Sequence, residues 1–419
     1  MAAEMRPQGA FSRHGRALLE IGVVSGFGIL ATAGFQIVAS RGLGPAGFGL
    51  LASFLAIINV AAVGSAALRS AVAVIMAESG PPLQSQTHGR RWRDSSMVEA
   101  LILGGLCTVA LLMATPLLAR SLETNIGALV LTAAAVLPYF FFARAQGLLQ
   151  GAGDSRSVVL WTTGSQIVQL LLTLAALALG LAYVGILFAI LITAGLGAVG
   201  AAFQARNLAI PVDRKPFSRN STIVLLLTLT FAWLTNADVI LVRAGTSEIV
   251  AGSFAAAAVL IKTTLILPTT LSLYLLPRFV NRRHDAAMTK FGVNITLGLT
   301  FLSGVAMYGI VLFAGPLLIS VFFGDGYAMS ADLLPQLALM WLPWAMALGL
   351  LVRITAVASK SALVVIVLVA GVQWIGSTML LPDVSAMMLF NGTLGALTLT
   401  ALFAIHVVKT RRLIKEQAG

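Results

Sequence analysis

The sequence predicts an all-α integral membrane protein of about twelve transmembrane helices, arranged as two six-helix lobes that repeat each other in parallel. Three observations predict it. Hydrophobic residues make up 58% of the 419 and charged residues only 10%, less than half the charge a soluble domain carries. With a mean hydropathy of +0.96, such a chain cannot cover a water-facing surface. Apolar runs long enough to cross a bilayer recur twelve times, and the basic residues alternate between their ends with one strong bias.

The runs divide the chain in order. A polar N-terminal tail, 1–16, carries Arg6, Arg13 and Arg16. The first apolar run behind it is too long for a signal-peptide core and reads as a retained span. Six spans follow at 17–40, 49–78, 97–119, 126–148, 157–181 and 184–204, making an N-lobe of 17–204. A polar linker, 205–220, precedes a C-lobe of 221–408 with spans at 221–242, 249–277, 291–321, 330–356, 361–381 and 385–408. A basic tail, 409–419, closes the chain. With the N-terminus inside, 22 of the 27 Lys and Arg residues fall in inner segments and three (Arg41, Arg120, Arg243) in outer ones. One missed span would scramble this split, so both termini are expected in the cytoplasm. The net charge of +12 is therefore topology and not a nucleic-acid footprint.

The halves share landmarks. Arg41-Gly-Leu-Gly-Pro-Ala-Gly-Phe-Gly49 ends one helix and opens a long one, as Arg243 to Gly252 does later. Pro116-Leu117-Leu118 recurs as Pro316-Leu317-Leu318, and Leu137-Pro138 as Leu342-Pro343. Six helices per half is an even number, so the repeats point the same way, related by an axis along the membrane normal.

Little in the chain suggests bond-making chemistry. The single Cys107 allows no intrachain disulfide, and there is no phosphate-binding Gly-Lys-Ser/Thr loop and no His-Glu-x-x-His helix. The four histidines are scattered, so neither a metal nor another cofactor is expected. No loop is long enough for a separate catalytic domain, so an enzyme is not expected.

What remains is charge inside the bilayer, where a cation costs about 2.5–3.5 kcal/mol and therefore faces a cavity or a partner. Lys262 lies about 10 residues into the eighth span, roughly 15 Å deep, among Thr263, Thr264, Thr269 and Thr270 and ahead of Pro268. It either lines a cavity or pairs with Asp238. Asp238 follows Thr235, Asn236 and Ala237 late in the seventh span. It is either a proton or cation coupling site or the counter-ion of Lys262 or Arg243. Arg69, near the inner end of the second span, either snorkels to headgroups or lines an inner cavity mouth. Arg41 and Arg243 close the first and seventh spans. They either anchor to phosphate headgroups or ring the entrance for an anionic substrate. Glu20 is placed to pair with Arg16 across one helix turn, and Arg144 and Arg353 mark inner helix ends. A lipid phosphate calls for such sparse cationic lining. An exporter of cationic drugs calls for several intramembrane carboxylates, and Asp238 alone lies deep in a span.

Four segments resemble bacterial polysaccharide flippases. They are Arg41–Gly49, with the family's Leu-Gly-Pro-x-x-Phe-Gly pattern, Gln146-Gly-Leu-Leu-Gln-Gly151, Asn236-Ala-Asp-Val-Ile-Leu-Val-Arg243 and Phe323-Gly-Asp-Gly-Tyr327. The resemblance spans nearly the whole chain in order. It implies the multidrug/oligosaccharidyl-lipid/polysaccharide (MOP) exporter superfamily, with two six-helix lobes in a V around a central cavity lined by helices one, two, seven and eight. It further implies transport of a polyprenyl-pyrophosphate-linked oligosaccharide from the inner to the outer leaflet of the bacterial cytoplasmic (inner) membrane. The expected partners are that substrate, membrane lipids and a polysaccharide polymerase or glycosyltransferase complex. At 419 residues the chain lacks the two extra helices of some members, which favours an exopolysaccharide or O-antigen unit over a lipid II-type cargo. A cation-coupled drug or metabolite antiporter of the same fold and a non-transporting scaffold of glycan synthesis are the alternatives.

Overall fold

The computed structural model describes residues 8–78, 95–208, 219–265, 286–356 and 359–418, and among these the chain is helical almost throughout, with no strand. Eleven of its helical runs are long and apolar enough to cross a membrane. The first, Gln8–Glu78, is two helices that meet at Gly44, which brings the count to twelve. They are α1 before Gly44 and α2 after it, α3 (Ser95–Ser121), α4 (Ile126–Gly151), α5 (Ser155–Ala178), α6 (Ala182–Gln204), α7 (Arg219–Gly245), α8 (Glu248–Lys262), α9 (Ala286–Phe322), α10 (Ala328–Ala356), α11 (Lys360–Leu380) and α12 (Val384–Ala418).

The Leu43-Gly44-Pro45 step explains the first break. Gly44 takes φ 66°, ψ 178°, a positive φ that glycine adopts freely and an extended ψ that suits a residue before proline. Pro45 then opens α2, where its missing N–H is no loss. The other helix-internal prolines, Pro116, Pro138, Pro316, Pro335 and Pro343, lie in spans whose neighbours can accommodate a bend. The paired landmarks of the two halves fall on corresponding helices: Pro116 on α3 and Pro316 on α9, Pro138 on α4 and Pro343 on α10. Two further segments that correspond in the sequence, the basic Arg90-Arg91-Trp92-Arg93 and Arg282-Arg283-His284, lie outside the described residues.

The chain divides into two compact units whose membership departs from the sequence halves. One unit holds residues 1–42, 68–111 and 130–216. Within it the Gln146-to-Gly151 motif seats α4 on α2. A Cβ at Gly147 would stand 2.6 Å from the Arg69 carbonyl oxygen, and one at Gly151 would stand 2.5 Å from that of Ala73. Two glycines four residues apart thus bring two backbones together, as small residues do between membrane helices.

The other unit holds residues 43–67, 112–129 and 217–419, so two segments of the first half pack with the second. The Gly49 face of α2 lies on the backbone of Ala251 and Gly252 in α8, and a Cβ on Gly252 would overlap the Pro45 carbonyl. Phe48 packs its ring 6.0 Å from Phe323 and 6.1 Å from Tyr327, centre to centre, joining the Arg41–Gly49 motif to the Phe323–Tyr327 motif. Large apolar side chains such as Met113, Phe313 and Met379 stay exposed, the surface expected of helices whose solvent is lipid.

Candidate functional site

The most distinctive polar group is an ion pair inside the second unit. Asp238 lies seven residues before the end of α7 at Gly245, and Lys262 is the last residue of α8, fourteen after Glu248. Measured from the α7–α8 turn, they are about 10 Å and 21 Å along their helices at 1.5 Å per residue. Lys262 thus stands farther along its helix than the roughly 15 Å the sequence implies, because it lies fourteen residues after the start of α8 and not about 10. Cβ atoms tilt towards a helix's own N-terminus. The Asp238 side chain therefore leans away from the turn and that of Lys262 leans towards it, which closes the offset. The Lys262 ammonium donates to Asp238 Oδ1 at 2.9 Å and lies 4.7 Å above the ring of Trp341 on α10. Position adds to the pairing, since a cation in the last turn of α8 meets the negative end of its helix dipole.

The partners differ in exposure. The Asp238 side chain is 2% exposed and that of Lys262 19%, so the ammonium is the half that reaches the surface of its unit. Asp238 Oδ2 and Trp341 Nε1 are buried without hydrogen-bond partners. Thr263 and Thr264 turn their hydroxyls onto the carbonyls of Leu260 and Ile261, so neither contributes to the pair. Pro268, Thr269 and Thr270 lie outside the described residues. Breaking such a pair costs about 3–5 kcal/mol because a buried charge is left behind, and the ring contact adds about 0.5–2 kcal/mol.

Asn236 and Arg243 share α7 with Asp238. Asn236 donates to the Ala232 carbonyl of its own helix at 2.8 Å. Arg243 is enclosed, 5% exposed. Its Nη2 donates to Glu248 Oε1 at 2.7 Å and to the Leu122 carbonyl at 3.4 Å, while Nε has no acceptor. It clamps the α7–α8 turn to the 112–129 segment. Arg41 is exposed at the end of α1. In the first unit, Arg69 Nη1 donates to Gln146 Oε1 at 3.5 Å, and Gln146 Nε2 in turn donates to Thr162 Oγ1 at 2.8 Å. Glu20 lies on α1, with its side chain outside the described residues.

Two features have no counterpart among the sequence expectations. Trp341 is one; the signal available was its place beside the Leu342-Pro343 landmark. The second is a buried amide network. Gln373 Nε2 donates to the Leu234 carbonyl at 3.0 Å and to Asn391 Oδ1 at 3.1 Å, and Asn391 Nδ2 donates to Ser377 Oγ at 3.1 Å. Trp344 Nε1 donates to the Asn391 carbonyl at 3.0 Å. Leu234 precedes Asp238 by one helical turn, so the network fixes α7 directly beneath the carboxylate. Among the described residues no three His, Cys, Asp or Glu side chains gather to hold a metal.

No family model and no curated protein sequence matches the chain. Solved structures do. A multidrug resistance MATE family transporter of the MOP superfamily, in its inward-facing conformation, is similar with TM-score 0.69 and 14% identity, over 93% of this chain and 96% of the other. The lipid II flippase MurJ, in an inward closed conformation, is similar with TM-score 0.67 and 12% identity, over 94% and 89%. A MOP superfamily transporter from Pyrococcus furiosus, described as having a binding pocket of reversed polarity, gives TM-score 0.59 and 15% identity over 94% of each chain. At such identities the likeness is one of fold, and the fold is the two-lobe, twelve-helix architecture of these transporters.

Proposed function

We propose that this protein is a transporter that flips a polyprenyl-pyrophosphate-linked oligosaccharide from the inner to the outer leaflet of the bacterial cytoplasmic membrane by alternating access, for surface polysaccharide synthesis. Both termini then lie in the cytoplasm, and a polymerase or glycosyltransferase complex is the partner that supplies or consumes the glycan. The single observation that carries the reading is Lys262: a membrane-embedded ammonium, held by a fully buried carboxylate, that still reaches the surface of its unit. Such a cation is fixed in position yet able to meet a phosphate oxygen. The four flippase-like motifs and the transporter fold support the same reading.

A cation-coupled drug or metabolite antiporter of the same fold is the second reading. It draws on Asp238, a buried carboxylate with one oxygen unpartnered, because fold does not fix substrate.

Replacing Lys262 alone strands Asp238, so the clean variant is the neutral pair Asp238→Asn with Lys262→Gln. In a strain lacking the gene, the wild-type chain should restore surface polysaccharide. The double variant, inserted at equal level, should leave lipid-linked oligosaccharide on the cytoplasmic leaflet. Normal surface polysaccharide in the deletion strain would overturn the flippase reading. Altered drug susceptibility with unchanged polysaccharide would favour the antiporter. A scaffold would tolerate the double variant in both assays.

A further inference from the structure

Arg353, three residues before the end of α10, is 3% exposed, yet its Nε and Nη1 have no acceptor. A guanidinium stays charged at any physiological pH, and a buried charge without an anionic or hydrogen-bonding partner is strongly unfavourable. The first half of the chain solves the same problem in a different way. There Arg144 on α4, the helix corresponding to α10, donates its Nε to Ser96 Oγ at 2.9 Å. Moved by the 205-residue offset of the Leu-Pro landmarks, Arg144 falls at 349, one turn before Arg353 and on the same helix face.

α12 packs along α10 and brings two further polar groups to this end. His406 and Thr410, one turn apart on one face, are 7% and 8% exposed, and the Thr410 hydroxyl is buried without a partner. Gly392 lies against Met340 and Gly395 against Trp344, so the two helices run in parallel register and Arg353 stands within about a turn of the level of His406. Of the carboxylates in residues 219–418 whose side chains are described, Glu248, Asp325, Asp332 and Asp383 sit at or just before the starts of α8, α10 and α12, and Asp238 is paired with Lys262.

We infer that Arg353, His406 and Thr410 form a binding site between α10 and α12 for a phosphate-class oxyanion. A guanidinium on one helix and an imidazole and a hydroxyl on the other suit a tetrahedral anion with several acceptor oxygens better than a single carboxylate. The site lies at the end of α10 and beside the basic Lys409, Arg411 and Arg412 of α12, and basic clusters between membrane helices bind lipid headgroups. The source of the phosphate is either an anionic phospholipid or free inorganic phosphate. The site is separate from the Lys262 pair and independent of the proposed cargo.

The full-length protein, purified in neutral detergent and stripped of lipid in phosphate-free buffer, tests this as wild type and as two variants, Arg353→Met and Thr410→Val. Arg353→Met should then be at least as thermostable as wild type, because the unpaired buried charge is gone. Inorganic phosphate should raise the melting temperature of wild type but not of Arg353→Met, and Thr410→Val should need roughly tenfold more, as loss of one charge-assisted hydrogen bond implies. In the lipid arm, native mass spectrometry after reconstitution with phosphatidylglycerol should retain one lipid on wild type and none on Arg353→Met. A response to phosphate alone assigns a soluble ion, and retention of lipid alone assigns a headgroup. Equal behaviour of wild type, Arg353→Met and Thr410→Val in both arms would overturn the site.

Discussion

In each half of the chain a cation on the second helix meets the fourth, but the two are partnered differently. Arg69 on α2 is met by a neutral amide, Gln146 on α4, at 3.5 Å. Lys262 on α8 is met by the ring of Trp341 on α10 and by a carboxylate, Asp238, at 2.9 Å. An amide oxygen at the limit of hydrogen-bonding distance orients a guanidinium and leaves its charge whole. A carboxylate cancels the charge and locks its position. Among the described residues the first unit therefore gives Arg69 no counter-ion, whereas the second keeps a neutral pair whose ammonium must exchange partners before it serves another anion.

The largest expected effect tests whether that pair is a unit. Lys262→Met leaves the Asp238 carboxylate 2% exposed and without its cation, and should destabilise the purified protein by about 3–5 kcal/mol in denaturant unfolding. Adding Asp238→Leu should restore stability to within about 1 kcal/mol of wild type, since an apolar pair replaces a buried ion pair at little cost. If Lys262→Met alone is as stable as wild type, the two charges are not coupled and the contrast between the units falls.

The fold was legible because its signals are redundant. Bilayer length, apolar runs and the basic-residue bias each set the helix count, and Gly44-Pro45 marked the first break through backbone chemistry alone. The Asp238–Lys262 pair was legible as one of two open readings, because intramembrane charges of opposite sign on neighbouring spans seek each other. Trp341 and the Gln373–Asn391 network were not. An apolar aromatic or a lone amide in a span carries no mark of which face it occupies, and that depends on helix rotation. The placement of Arg243 was also hidden. Its acceptor at Leu122 is a main-chain carbonyl 121 residues away, and every residue has one. Residues 43–67 and 112–129 joining the second unit could not be read either, because a repeat fixes sequence halves and not which ends pack together.

The second effect concerns how each cation's helix is seated. A Cβ on Gly147 would press on the Arg69 carbonyl and on Val72, and one on Gly252 would press on the Pro45 carbonyl. Both obstacles include backbone, which yields little. Gly147→Ala and Gly252→Ala should each cost about 2–3 kcal/mol, in the range of overpacked cores. Gly164 on α5 has nothing within 4 Å of a Cβ, so Gly164→Ala should stabilise by about 0.5–1 kcal/mol through helix propensity. Thermal unfolding of the three variants checks the signs. Equal losses at all three would mean that close backbone approach does not seat α2 and α8.

The smallest effect separates an orienting partner from a neutralising one. Gln146→Leu removes the acceptor of Arg69 and the donor to Thr162 Oγ1, but Arg69 is only half-buried and can turn its guanidinium to water or headgroups. The expected loss is about 1 kcal/mol, the worth of an ordinary hydrogen bond. Arg69→Leu should cost no more than that, because the amide it leaves keeps its bond to Thr162. This is the reverse of the second unit, where removing the cation does the damage by stranding a carboxylate. Measured as a pair, Gln146→Leu and Arg69→Leu should be nearly equal and small. A loss above about 3 kcal/mol for either would place Arg69 in a compensated buried pair like that of Lys262, and its charge would then not be free to attract an anion.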